Sequence, residues 1–152
     1  MKNNGTGLEN FVCELYKDIG YTNVTKDYRI SKSNGDESAR GQIDITYKHF
    51  FVKRYVECKQ RSENNVTFDD YSKFETTLKT FNIPTYLGEM VTNKYFDDRL
   101  RQEAAKQNIL LFNKERLFAD YKRFGGKYSS LEKSINVIDA NRYNLEKNIV
   151  KI

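Results

Sequence analysis

Residues 41–60, GQIDITYKHFFVKRYVECKQ, hold two runs of alternating polarity separated by a short aromatic break. In an extended chain, Ile43, Ile45 and Tyr47 share one face while Gln42, Asp44 and Thr46 share the other; further on, Val56 and Cys58 oppose Tyr55, Glu57 and Lys59. If the runs pair as a hairpin turning near Phe50-Phe51, Asp44 lies directly across from Glu57, with Cβ atoms about 4.5–5.5 Å apart. Two carboxylates so placed can share one cation. Hard oxygen ligands suit Mg²⁺ or Mn²⁺, and Mg²⁺ commonly takes only one or two protein carboxylates, leaving room for water and phosphate. Lys59 projects from the same face as Glu57, where an ammonium can orient an attacking water and stabilise charge on a phosphate. The hairpin tip is unusual, because Lys48-His49-Phe50-Phe51-Val52 contains none of the Gly, Asn or Asp that such turns prefer. Either the strands run further than expected or a partner subunit covers the two rings, as in a homodimer.

On the N-terminal side, Leu8, Phe11, Val12, Leu15, Tyr16 and Ile19 recur at helical spacing, with Thr6 as N-cap and Gly20 as the stop. Glu9 near the start of this helix is a candidate to hold a metal-bound water. Val24 to Ile30 reads as a first strand, followed by a polar loop, residues 31–41, with Asn34-Gly35 as its turn. On the C-terminal side, residues 67–81 return to helical spacing with Asp69 and Asp70 in the first turn, where they complement the helix dipole. Residues 85–92 (TYLGEMVT) read as a strand, 97–107 as a helix, and 109–112 as a short buried strand leading into a helical turn. Residues 129–147 read as a last helix. Strands alternating with helices around a mixed sheet make an α/β domain.

The composition narrows the partners. Lys and Arg number 26 against 21 Asp and Glu, a net charge of +5, and the sequence pI is near 9.1, which favours an anionic partner. No apolar run approaches the roughly 20 residues needed to cross a bilayer, and MKNNGTGLEN lacks a secretory pattern, so an intracellular, soluble protein is expected with no membrane partner. Cys13 and Cys58 lie in apolar patterns and are expected to be reduced core residues. With His49 the single histidine, any metal must be held mainly by carboxylates.

Asp44 in GQIDI, followed after twelve residues by Glu57-Cys58-Lys59 in YVECKQ, resembles the core of the PD-(D/E)xK nuclease superfamily, in particular its restriction-endonuclease-like, Mrr-type branch. GLENF is similar to that family's first-helix segment, IGYTNV to the turn into its first strand, and VTNKYFDDRLRQEAAKQNILLFNKERL to its closing strand, helix and strand. The Mrr branch often carries Gln where this chain has Glu57, and Glu9 precedes Phe11 rather than following it. The resemblance covers Gly7 to Tyr121 and implies a restriction-endonuclease-like αβββαβ core, a central mixed sheet flanked by helices. It implies a nuclease domain over residues 1–121, with 122–152 expected to be a helical extension packed on it. It also implies divalent-metal-dependent hydrolysis of phosphodiester bonds in DNA, with Asp44, Glu57 and Lys59 catalytic and Glu9 a fourth candidate. Gln60, Arg40 and Arg61 are candidates for touching substrate, although Gln60 falls opposite Lys59 on a regular strand and basic residues are often only a solvated surface. The alternatives are a catalytically silent nucleic-acid-binding subunit of a restriction, repair or defence complex, and a branched-DNA resolvase; RNA as substrate stays open.

Overall fold

The computed structural model describes the backbone of residues 5–31 and 40–124 and the side chains of 7–30 and 41–124. The predicted Asn34-Gly35 turn, the predicted last helix and all but the first three residues of the expected C-terminal extension lie outside the described residues.

The apolar stripe from Leu8 to Ile19 forms helix α1 (Gly5–Ile19). It begins one residue ahead of Thr6, so the predicted cap lies inside the first turn. It ends where Gly20, at φ 107°, donates its amide to the carbonyls of Tyr16 and Lys17. Among the described residues, one mixed sheet of order β1-β2-β3-β4-β5 contains β1 (Thr22–Ser31), β2 (Arg40–His49), β3 (Val52–Lys59), β4 (Gly88–Thr92) and β5 (Leu110–Phe112). Strands β1 to β3 are antiparallel, and β4 and β5 run parallel to β3. Parallel neighbours require crossovers, which α2 (Phe68–Thr80) and α3 (Asp98–Gln107) supply; α4 (Lys114–Phe124) follows β5. Thr67 caps α2 through a reciprocal box with Asp70, and the Asp97 carboxylate caps α3 by accepting from the Leu100 amide at 2.9 Å.

The sheet separates two cores. On one face Leu8, Phe11, Leu15 and Tyr16 of α1 and Leu117 and Phe118 of α4 pack on Ile45, Tyr47, Val56, Cys58 and Val91. On the other, Tyr71, Phe74 and Leu78 of α2 and Leu100 and Ala104 of α3 pack on Ile43 and Met90. Cys13 and Cys58 are buried free thiols. No helix among the described residues is long and apolar enough to cross a membrane.

Two local expectations need correction. Ile43 does not share a core with Ile45 and Tyr47. Pairing between β1 and β2 skips Asp27 and Asp44, between Lys26↔Ile45 and Tyr28↔Ile43, and Asp27 has a left-handed φ of 56°. This irregularity turns the strands over: Lys26 reaches Asn10 of α1, whereas Tyr28 and Ile43 belong to the opposite core. In TYLGEMVT only residues from Gly88 onward are strand, because Pro84 starts a 3₁₀ turn over Thr85–Leu87 with the Leu87 amide donating to the Pro84 carbonyl at 3.0 Å. After β5 the chain makes a full helix rather than a turn.

At the far end of the β2–β3 hairpin, His49↔Val52 closes a two-residue loop in which Phe50 (φ 54°) and Phe51 (φ 76°) both adopt left-handed backbone. A loop of this type requires φ > 0 at both positions, which suits Asn-Gly and costs about 1–2 kcal/mol for each ordinary L-residue. Beneath it, Glu89 is 1% exposed and accepts from the hydroxyls of Tyr16 and Tyr47 and from the Arg54 guanidinium.

Two stability outcomes are expected. Phe50→Asn together with Phe51→Gly should raise stability by about 1–3 kcal/mol in urea titration; an unchanged midpoint would mean that the rings stabilise the tip as much as the backbone strains it. Glu89→Ala should cost roughly 3–5 kcal/mol, because it strips a buried charged network of its acceptor; a loss below about 1 kcal/mol would show that the network is solvated.

Candidate active site

Strands β2 and β3 pair from His49↔Val52 as far as Ile45↔Val56 and then part. Beyond that point β2 continues against β1 and β3 against β4. Asp44 and Glu57 stand at the mouth of this fork. The Asp44 carboxylate accepts the Cys58 amide at 2.9 Å, and it lies near enough to Glu57 for its charge to act on that carboxyl. The Lys59 ammonium lies 3.2 Å from Glu57 Oε2, both side chains being mostly but not fully covered. The two acids and the lysine thus meet, although Asp44 does so through its side chain and not as a paired ladder residue.

Glu9 enters from the first turns of α1. Burial, then the charges of Asp44 and Asp27, push its carboxyl up to about 7. Burial and then Asp44 likewise raise Glu57 to about 7 against the pull of Lys59, and burial raises Asp44 against the Cys58 amide and Lys59. The cluster is therefore short of positive charge. Among the described residues, no three or more of His, Cys, Asp and Glu are arranged to hold a metal ion by themselves. A Mg²⁺-type ion needs no such set, since one or two carboxylates with water and substrate phosphate suffice.

The remaining predicted residues are distributed around the fork. Gln60 is 6% exposed, and its side-chain oxygen accepts the Leu8 amide at 3.0 Å, tying the start of α1 to the end of β3; its Nε2 is buried without a partner among the described residues. Arg61 is clamped by Asp70 at 2.6 Å while Asn93 takes its backbone amide at 2.8 Å. Arg40 opens β2, and its side chain lies outside the described residues. The sequence reading missed Asp27, whose carboxylate accepts from Gln42 at 3.1 Å and whose charge acts on both Glu9 and Asp44. An aspartate inside a strand pattern, a residue type that strands disfavour, was the available signal.

The raised acids set a pH dependence. Glu9 and Glu57 ordinarily titrate near 4.5 and sit at about 7 in the fold, so folding favours their protonated forms. Their contribution is complete below the unfolded value and is lost as pH rises through the folded one. The thermal midpoint of the metal-free chain should therefore fall between about pH 4.5 and 7, and Glu57→Gln should flatten part of that fall. A midpoint that does not fall across this window would contradict the charge balance described.

No curated protein sequence matches the chain. Among solved structures, a protein of unknown function, AF1548, superposes with a TM-score of 0.63 at 12% identity, over 95% of this chain and 100% of that one. Can2 from Sulfobacillus thermosulfidooxidans, in complex with cyclic tetra-adenylate, gives 0.58 at 17% identity over 80% of this chain and 36% of Can2. The DNA modification-dependent restriction endonuclease AspBHI gives 0.52 at 16% over 88% of this chain and 35% of the enzyme. The chain thus spans about a third of the length of the latter two, and at these identities the likeness is one of fold. The family model for the Mrr catalytic domain, described as restriction endonuclease, matches residues 1–119. That match takes in α1, the whole sheet and the fork with its acids, and the chain belongs to the Mrr-type restriction endonuclease family.

Proposed function

We propose that the chain is a divalent-metal-dependent endonuclease that hydrolyses phosphodiester bonds in DNA, with Asp44, Glu57 and Lys59 as its catalytic set and Glu9 as a fourth member. The observation that carries this reading is the meeting of the Asp44 and Glu57 carboxyls in the strand fork with Lys59 ion-paired beside them. Glu9 and Glu57, each raised by burial and then by the charge of Asp44, fit a doubly charged cation, and Asp44 and Glu57 would hold Mg²⁺ or Mn²⁺. When bound, such a cation lowers the pKa of a coordinated water and offsets charge on the phosphate.

The chain's own groups account for the rest. Lys59 shifts a hydrogen bond from Glu57 to a phosphate oxygen as negative charge grows there, which stabilises the transition state. Glu9, with its carboxyl near 7, can hold the attacking water or take its proton at neutral pH. Water adds to phosphorus, one P–O ester bond breaks, and the departing oxygen acquires a proton. Gln60 positions Glu9 by holding Leu8 and offers its unpartnered Nε2 to water or phosphate. Arg61, oriented by Asp70, and Arg40 at the head of β2 would neutralise flanking phosphates. DNA as the substrate is supported by the net charge of +5 and by the fold shared with AspBHI, a DNA modification-dependent restriction endonuclease. A homodimer would set one such centre against each strand of a duplex.

The purified chain should cleave DNA with Mg²⁺ or Mn²⁺, and Asp44→Ala or Lys59→Ala should lower the rate by about 10² or more. Calorimetry should detect Mn²⁺ binding that Asp44→Ala abolishes. The proposal fails if duplex, single-stranded and branched DNA all stay intact with either metal, or if cleavage survives Asp44→Ala. Salt-sensitive DNA binding without turnover would then identify a silent binding subunit.

A further inference from the structure

The hairpin tip at the opposite end of β2 and β3 presents two phenyl rings to solvent. Phe50 is 80% exposed and Phe51 97%, and both are held in left-handed backbone. Strained conformations persist where the surroundings over-determine them, and here a stack of rings holds Phe50 while Phe51 stands out beyond it. Phe50 lies against His49 with centroids 4.4 Å apart, His49 against Tyr21 at 5.0 Å, and Tyr21 on Tyr47 at 4.4 Å, which carries the stack into the core. The tip is therefore braced, with its two phenyl rings at the outer end.

One rung behind the tip, Lys48 pairs directly across the ladder with Lys53. Like charges in this position repel, and neither lysine has an acidic partner among the described residues. Lys53 is held over the Tyr28 ring, 3.7 Å from its centroid. Two phenyl rings with a basic collar match a partner that offers an apolar slot flanked by anions.

We propose that the Phe50-Phe51 tip is a wedge that inserts between stacked bases of duplex DNA while Lys48 and Lys53 hold the adjacent phosphates. Phenyl side chains act in this way in other architectures, unstacking a base step and kinking the helix. The spacing fits one duplex: Val52 and Glu57 are five residues apart on β3, about 17 Å at the rise of a strand, or roughly five base steps at 3.4 Å each. A second copy of the chain is disfavoured as the occupant, because a two-fold contact between tips would bring four lysines together. The choice of DNA rests on the nuclease reading, whereas the insertion rests on the tip alone.

The test uses the full chain without divalent metal, so that the DNA stays intact, and duplexes of defined sequence with 2-aminopurine placed at successive positions. The unmodified chain should raise 2-aminopurine fluorescence at one step, about five steps from the bond cleaved when metal is supplied. Phe50→Ala/Phe51→Ala should abolish that signal and weaken duplex affinity about tenfold, the scale of a lost base–aromatic stack. Phe50→Asn/Phe51→Gly should do the same while folding at least as stably, which separates the effect from misfolding. Lys48→Ala/Lys53→Ala should reduce the slope of log affinity against log salt by about two. The proposal is overturned if no position brightens, or if both tip variants bind the duplex within twofold of the parent. It is equally overturned if the tip variants instead lose a sedimenting dimer or lose binding to phosphatidylserine vesicles, which would assign the tip to a second copy or to a membrane. A brightening signal without metal-dependent cleavage would leave the wedge standing and remove the nuclease reading; cleavage lost in Asp44→Ala without brightening would do the reverse.

Discussion

The bond from the Cys58 amide to the Asp44 carboxylate, 2.9 Å long, marks the point where β2 and β3 separate. Short of it the two strands form an ordinary antiparallel ladder; beyond it each keeps only its outer neighbour, β1 for β2 and β4 for β3. A side chain acceptor satisfies a backbone donor that the departing strand no longer serves, and so the split leaves no orphaned amide. The same carboxylate is brought against Glu57, and Lys59 is two residues further along the strand that stays. The opening of the sheet and the grouping of Asp44, Glu57 and Lys59 are consequently one structural event.

Asp27 makes that event compatible with two cores. Its left-handed backbone, opposite Asp44, turns β1 and β2 over, so that one segment of the same hairpin packs under α1 and the next under α2 and α3. Aspartate tolerates this conformation better than most residues, and its charge then adds to the acid cluster. Gln60 completes the arrangement by tying the first turns of α1 to the end of β3, which keeps Glu9 beside the fork.

Two sections of the hairpin treat charge in opposite ways. Beside Tyr47 and Arg54, a buried glutamate is supplied with two hydroxyls and a guanidinium, and the network is complete. At the fork, burial raises the carboxyls of Glu9, Asp44 and Glu57, and the charge of Asp44 adds to the rise at Glu9 and Glu57. A satisfied network rigidifies a scaffold, whereas an under-compensated one is poised for a ligand. The hairpin thereby carries a rigid section between a charge-hungry mouth and an exposed aromatic tip.

Local pattern in the sequence was enough to place α1, α2 and α3, the two hairpin strands and the turn at Phe50-Phe51, because each depends on spacing within a few residues. What spacing could not reach was any feature set by a residue distant in the chain: the face change at Ile43, forced by backbone at Asp27; the place of Asp27 among the acids; the bond from Gln60 to Leu8; and the network around Glu89. Alternation assumes a regular strand, and a single left-handed residue breaks it without leaving a mark in the hydrophobic pattern. Chain chemistry alone therefore determined which acids and bases the chain offers, and only the packing of strands and helices against one another decided which of them meet, since burial and long-range contacts set both the position and the charge state of a carboxyl.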